Sequence, residues 1–151
     1  MHAAAPDADF VIIQPGGFRT EWVPGVIQYQ HYYNMIPFDN GLYTFEMTGT
    51  ELLNTLMVIQ SGKKGFYQAW GLQMHVTFDG VNKNFVSAKF MDGSEIDPTA
   101  TYKGATIEYL INGGDDFAEV IGKIYTPRNL VNIGELRPTL KPYLIDLKTI
   151  T

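Results

Sequence analysis

Cysteine is absent from this chain of 151 residues, which excludes disulfides, cysteine-based metal sites and a thiol nucleophile. No apolar run approaches the roughly 20 residues that a membrane-spanning helix needs, so no membrane span is predicted. The 11 lysines and arginines are scattered and are outnumbered by 16 acidic residues, so no nucleic-acid partner is predicted. Histidine is scarce: His2, His31 and His75 are the only three, and none lies in a metal-binding motif.

The remaining composition is that of one globular domain spanning residues 1–151. Hydrophobic residues make up 45% of the chain, which is enough to build a single core at this length. The opening run Met1-His2-Ala3-Ala4-Ala5-Pro6 has neither the basic nor the apolar region of a signal peptide. We interpret the chain as a fragment of a larger protein.

Strand patterns recur along the chain. Residues 11–13 are an apolar run typical of a buried strand, and apolar–polar alternation or β-rich composition predicts strands at 42–47, 72–78, 85–90 and 102–107. The turn Asp92-Gly93 predicts a hairpin.

Helices are predicted between these strands. Thr48 and Glu51 fit a capping box, in which the hydroxyl and the carboxylate satisfy backbone donors, at the start of a helix that extends to residue 60. Further helices are predicted at residues 26–35, 117–124 and 135–144. Because hairpins lie among the alternating elements, we expect an α/β fold with a mixed sheet and helices on its outer faces.

Two glycine stretches follow predicted strands. They are Gln14-Pro15-Gly16-Gly17-Phe18-Arg19 and Glu108-Tyr109-Leu110-Ile111-Asn112-Gly113-Gly114-Asp115. Glycine permits positive φ and close approach of a ligand, and strand ends are where open sheets bind ligands. The Arg19 guanidinium suits a phosphate or carboxylate, whereas Tyr109 and Asp115 suit a flat base and sugar hydroxyls. Together they predict a nucleotide-sized site.

Three further segments complete a recognisable order: Ile36-Pro37-Phe38-Asp39-Asn40, Met47-Thr48-Gly49-Thr50-Glu51-Leu52 and Ile96-Asp97-Pro98-Thr99-Ala100-Thr101-Tyr102. With the two glycine stretches, they match five ordered motifs over about residues 8–125. The chain thereby resembles the C-terminal, substrate-binding domain of the 5′-nucleotidase and UDP-sugar hydrolase family. The resemblance implies that family's layered fold.

The resemblance also implies roles for individual residues. Phe38 and Tyr109 would sandwich a nucleobase, Asp115 would accept hydrogen bonds from ribose hydroxyls, and Arg19 would hold phosphate. Three further substrate-binding residues are predicted: Gln14, Asn40 and Gly17 of the first glycine stretch. Gln14 or Asn40 would meet the base edge or nearby polar groups. No catalytic residue or metal ligand is predicted in this chain.

Other roles are open for the same residues. Arg19 could form a structural salt bridge, Phe38 and Tyr109 could pack in the core, and Asp115 could cap the helix that follows it. His31 and His75 are interpreted as structural or surface residues.

The resemblance places catalysis in a separate N-terminal metallophosphatase domain that binds two divalent metal ions. The expected partners are therefore a nucleotide or nucleoside and that domain or another protein, and the expected location is extracellular, cell-surface or periplasmic. The chain is interpreted as the recognition part of a metal-dependent nucleotide hydrolase, catalytically incomplete alone.

The alternative is a non-catalytic structural or partner-binding module with an eroded site. Pro15 lacks an N–H donor, and Glu108 and Asp116 add negative charge. A stretch with a further basic residue, which opens the family's domain, has no match here.

Overall fold

The computed structural model describes residues 1–61, 67–117 and 128–146. The strands are β1 Phe10–Ile13, β2 Gly41–Thr48, β3 Gln68–Trp70, β4 Leu72–Phe78, β5 Lys83–Phe90, β6 Thr101–Ile107 and β7 Arg128–Glu135. The helices are α1 Tyr29–Met35, α2 Gly49–Ser61, α3 Glu108–Ile111 and α4 Leu136–Asp146. None of the helices in these ranges is both long and apolar enough to cross a bilayer.

Five strands form one mixed sheet in the order β3-β1-β6-β2-β7, and β4 and β5 form a separate two-stranded sheet. Strand β1 runs parallel to β6, whereas the other neighbouring pairs are antiparallel. Register is set by pairs such as Val11 with Ala105 and Leu42 with Ile107. The mixed α/β fold predicted from the sequence is confirmed.

Helix α2 begins at the predicted capping box. The Thr48 N–H donates to Oε2 of Glu51 over 2.6 Å, and the Glu51 N–H donates to Oγ1 of Thr48 over 3.3 Å. Leu52 and Leu56 on this helix are fully buried in the core. The cap fixes where the helix starts, and the buried leucines fix which face packs inward.

Two helix boundaries differ from the sequence prediction. Helix α1 begins at Tyr29 rather than at residue 26, because the Gln28 N–H donates to Nδ1 of His31 over 3.1 Å and closes the first turn there. Helix α4 begins at Leu136 and continues through Pro142 to Asp146. A proline inside a helix removes one backbone hydrogen bond, which the rest of α4 tolerates.

Two strands have no counterpart in the sequence prediction. Strand β3 has three residues, too few to show alternation, and all eight residues of β7 are exposed. Residues from 118 onward in the helix predicted at 117–124 lie outside the described residues.

Candidate functional site

Three loop segments meet at one edge of the five-stranded sheet. The strands β1 and β6 are parallel neighbours, so the segments that follow Ile13 and Ile107 leave the sheet on the same side. Strand β2 is antiparallel to β6 and pairs Leu42 with Ile107, so the segment that precedes Gly41 reaches the same edge. The sheet topology therefore brings together the segments that carry Arg19, Phe38 and Tyr109.

Asn40 and Glu108 join two of these segments directly. The Tyr109 N–H donates to Oδ1 of Asn40 over 3.2 Å, and the Gly41 N–H donates to Oε2 of Glu108 over 3.0 Å. From the sequence, Glu108 is expected to add negative charge to the site. In the structure its carboxylate also supports the start of β2, a role for which no local sequence pattern gives a signal.

The first glycine stretch forms a 3-10 turn at Pro15–Gly17. Neither Gly16 nor Gly17 has a positive φ, so this turn does not use the conformational freedom that glycine permits. Gln14, which precedes the turn, is 5% exposed, and its buried Oε1 has no hydrogen-bond partner among the described residues. A Cβ placed on Gly17 would lie 3.6 Å from Nε2 of Gln14, so this glycine lies directly against the amide.

Arg19 is exposed and lies over the ring of Phe38. Its guanidinium carbon is 5.4 Å from the ring centroid, and its Nη1 is 3.5 Å from the Gly16 carbonyl oxygen. The Arg19 N–H donates to the Met35 carbonyl over 2.9 Å, which fixes the backbone beside α1. Across residues 1–61, 67–117 and 128–146, Arg19 forms no ion pair.

The second glycine stretch has the strained backbone expected of a tight loop. Gly113 has a φ of 100° and Asp115 has a φ of 53°, a left-handed conformation that aspartate tolerates better than most residues. The Tyr109 hydroxyl lies 3.3 Å from Oδ1 of Asp115, and the Tyr67 hydroxyl donates to the Asp115 carbonyl over 3.0 Å. The helix that Asp115 could cap lies outside the described residues from residue 118.

The Tyr109 ring rests on Gly114. A Cβ placed on Gly114 would lie 2.3 Å from the ring, so no larger residue fits without moving the ring. Tyr109 and Phe38 are 43% and 42% exposed, and both rings are therefore accessible from solvent. Asp115 is half-buried beside Tyr109.

A small apolar pocket lies among several of these elements. Its lining includes residues of β1, the first glycine stretch, the Phe38 segment, β6 and α4: Ile13, Gly17, Phe18, Ile36, Asn40, Ile107, Leu136 and Leu140. The presence of Leu136 and Leu140 shows that α4 forms part of this edge of the sheet.

Arg137 at the start of α4 is a residue that the sequence analysis missed. Its guanidinium contacts the segment around Phe38, and its carbonyl accepts a hydrogen bond from the Tyr32 hydroxyl over 2.8 Å. Burial raises the pKa of the Tyr32 phenol, an effect that the nearby Arg137 charge partly offsets. The phenol therefore remains a proton donor at neutral pH.

The described residues do not fit a two-metal centre. His31 uses Nδ1 to accept the Gln28 N–H, His75 is exposed on β4, and the His2 ring stacks on Trp70 at 3.4 Å. Within the described ranges, no three histidine or acidic side chains are grouped so that they could hold a metal ion.

Residues 1–122 match the sequence model of the family described as 5′-nucleotidase, C-terminal domain. The match covers most of the chain, and the chain belongs to this family. The resemblance inferred from the five ordered motifs is thereby confirmed.

Individual relatives agree with the family match. The chain is 30% identical over 118 residues to protein UshA of Escherichia coli (strain K12), covering 77% of this chain and 21% of UshA. It is 31% identical over 138 residues to UshA of Yersinia enterocolitica, covering 91% of this chain and 24% of that protein. The chain thus spans between a fifth and a quarter of the length of these curated relatives.

Solved structures share the fold. The 5′-nucleotidase precursor from Thermus thermophilus superposes with a TM-score of 0.79 at 24% identity, over 99% of this chain and 31% of that one. The NAD nucleotidase of Haemophilus influenzae gives a TM-score of 0.72 at 22% identity, over 93% of this chain and 27% of that one.

Proposed function

We propose that this chain recognises the nucleoside part of a nucleotide, as the substrate-binding domain of a larger 5′-nucleotidase-type hydrolase. One observation carries the proposal: the exposed rings of Phe38 and Tyr109 lie on two segments that Asn40 joins at one sheet edge. Rings that are not enclosed by the core offer a face to a flat base, and each base–ring contact contributes about 1–3 kcal/mol.

Polar groups around the rings supply the remaining contacts in this proposal. The exposed Arg19 guanidinium binds the phosphate, because a planar cation matches phosphate oxygens. The Asp115 carboxylate, held near the Tyr109 hydroxyl, has further acceptor capacity for ribose hydroxyls. The Asn40 side-chain amide retains its NH₂ donors for the base edge, and the Gln14 amide beside Gly17 is a second candidate for polar contact.

Hydrolysis itself lies outside this chain in our proposal. An N-terminal metallophosphatase domain with two divalent metal ions is the proposed partner, and a two-metal site would activate water and bind the transferring phosphate. The short span of the chain relative to its curated relatives supports a longer parent protein. We propose an extracellular, cell-surface or periplasmic location for that parent.

A second candidate is a non-catalytic module that keeps the fold and binds a protein partner. Pro15 favours it, since the first position of the turn at Pro15–Gly17 offers no N–H to a phosphate. The same titrations that test nucleoside binding separate the two candidates, because an eroded site binds neither nucleoside nor nucleotide.

Calorimetric titration of the chain with adenosine tests the proposal. Phe38→Ala and Tyr109→Ala should each weaken binding by roughly 1–3 kcal/mol, or about tenfold to over a hundredfold. Phe78→Ala is the matched control, because this exposed ring lies on β4 of the separate two-stranded sheet. Equal effects of site and control substitutions, or no adenosine binding by the unmodified chain, would overturn nucleoside recognition.

A further inference from the structure

Arg137 contacts the chain on both sides of Phe38. Its Nη1 donates to the Ile36 carbonyl over 3.0 Å, and its Nη2 pairs with the Asp39 carboxylate. A guanidinium presents several N–H donors in one rigid plane, so a single side chain can hold two acceptors in a fixed relation. Between these two acceptors lie Pro37 and Phe38.

Arg137 is itself fixed in place. Its side chain is 13% exposed, its guanidinium carbon lies 4.6 Å from the centre of the Tyr33 ring, and its carbonyl accepts the Tyr32 hydroxyl at 2.8 Å. The preceding Leu136 N–H donates to the Asn40 carbonyl over 2.8 Å. The start of α4 therefore holds the segment at three points: Ile36, Asp39 and Asn40.

Phe38 is not enclosed by the core. The residue is 42% exposed, and its one aromatic or cation–π partner among the described residues is the Arg19 guanidinium at 5.4 Å. The place from which the ring extends is set by the backbone that carries it. That backbone is held by Arg137.

We propose that Arg137 is a positioning residue for Phe38: it holds the segment 36–40 so that the ring stays at the nucleoside site. This inference rests on the proposed nucleoside recognition. It assigns a role in that site to α4, which begins beyond the 122 residues that match the family. Arg137 acts through Phe38 and does not contact the ligand.

Adenosine titration in a double-mutant cycle tests the proposal. Adenosine is uncharged, so loss of a guanidinium should alter its affinity through position and not through charge. We expect Arg137→Ala to weaken adenosine binding by about tenfold, within the range of the ring's own contribution. In the Phe38→Ala background the same substitution should have no further effect, because a residue that acts through the ring has nothing left to position.

Arg128→Ala is the matched control. Arg128 forms a two-point ion pair with Glu51 at 2.5 and 3.1 Å, so its removal also breaks an ion pair between distant parts of the chain. We expect unchanged adenosine affinity in this variant. Asp39→Asn gives a milder test of the Arg137 contact, since it removes the charge while keeping the side-chain size, and it should weaken binding in the same direction as Arg137→Ala.

A ligand-free measurement separates this inference from the proposed function. In the unmodified chain, nuclear Overhauser contacts should join the Phe38 ring to the Arg19 side chain, and Arg137→Ala should lose them while Arg128→Ala keeps them. Retention of these contacts in a folded Arg137→Ala chain overturns the positioning role.

If Phe38→Ala weakens adenosine binding but Arg137→Ala and Asp39→Asn do not, the inference fails and nucleoside recognition stands. If Phe38→Ala leaves adenosine binding unchanged, nucleoside recognition fails, and the ring contacts still decide whether Arg137 positions Phe38.

Discussion

The backbone N–H of Tyr109 donates a hydrogen bond to Oδ1 of Asn40, 69 residues earlier in the chain, over 3.2 Å. The segment that carries Tyr109 is thus hydrogen-bonded to Asn40, the last residue of the segment that carries Phe38. The Asn40 oxygen therefore supports α3, and its NH₂ group is the part of the side chain that we propose for the base edge.

Two substitutions at Asn40 separate these roles. Asn40→Asp keeps an oxygen acceptor for the Tyr109 N–H, so the free energy of unfolding should change little, whereas Asn40→Ala should lower it by about 1 kcal/mol. Both variants should bind adenosine more weakly, because both lack the NH₂ donors. Denaturant unfolding and adenosine titration measure the two effects. Full adenosine affinity in Asn40→Asp would remove this side chain from the base edge.

Arg19→Ala should weaken AMP more than adenosine. The two ligands differ in the phosphate, and the guanidinium has no other ion-pair partner among the described residues. A charge-assisted contact of this kind contributes about 1.5–3 kcal/mol, or roughly tenfold or more in affinity. Paired titrations of both ligands measure the difference. Equal losses for AMP and adenosine would contradict the phosphate role and leave the stacking of Arg19 on Phe38 as its contribution.

Gly114→Ala should displace the Tyr109 ring. The added Cβ would lie 2.3 Å from that ring, which is 43% exposed and can rotate outward, so the loss of fold stability should stay at the lower end of the roughly 1–3 kcal/mol typical of overpacking. Adenosine affinity should fall by about the amount that Tyr109→Ala loses, and the two substitutions together should cost no more than one. Additive losses in this cycle, measured by calorimetry, would show that the ring does not act through its position on Gly114.

Glu51 should make stability depend on acid pH. Its hydrogen bond from Arg128 is the main cause that lowers the pKa of the carboxyl from its usual 4.5, with a further contribution from the Thr48 backbone N–H. A carboxyl whose pKa is lower in the folded state than in the unfolded state stabilises the fold at pH values above its usual pKa. This contribution is lost as the pH falls below about 4.5.

Glu51→Gln isolates this effect, because glutamine can still complete the capping box with Thr48. We expect it to be less stable than the unmodified chain at pH 7 by about 0.2–1 kcal/mol, as is typical of partly exposed ion pairs. The difference should shrink toward zero as the pH falls below about 4.5 and should be smaller at pH 7 in an Arg128→Ala background, where only the contacts with Thr48 still favour the carboxylate. Thermal unfolding from pH 3 to 7 measures it, and a difference that grows in acid would reverse the assigned sign.

The parts of the fold that follow from the sequence are those with local signals. The alternation in β2 and the capping box of α2 involve residues no more than a few positions apart, so each is visible within a short window. Strand β7 lacks such a signal because all eight of its residues are exposed. A strand that buries neither face does not need the apolar–polar alternation by which a half-buried strand is recognised.

The candidate site follows the same rule. The segments around Arg19, Phe38 and Tyr109 each stand at a predicted strand boundary, which motif order and spacing reveal. Arg137 was missed because its partners Ile36 and Asp39 lie 101 and 98 residues earlier, and no local pattern links them. Both glycine stretches could adopt positive φ, and only the second does so, at Gly113.

The final strand and helix carry a practical consequence for choosing where to cut this protein. The family match ends at residue 122, but β7 supplies the fifth strand of the sheet and α4 supplies Leu136 and Arg137. A chain shortened to the matched segment would expose β2 as an open sheet edge, which invites intermolecular pairing and aggregation. The smallest unit for expression and ligand screening therefore extends at least to Asp146.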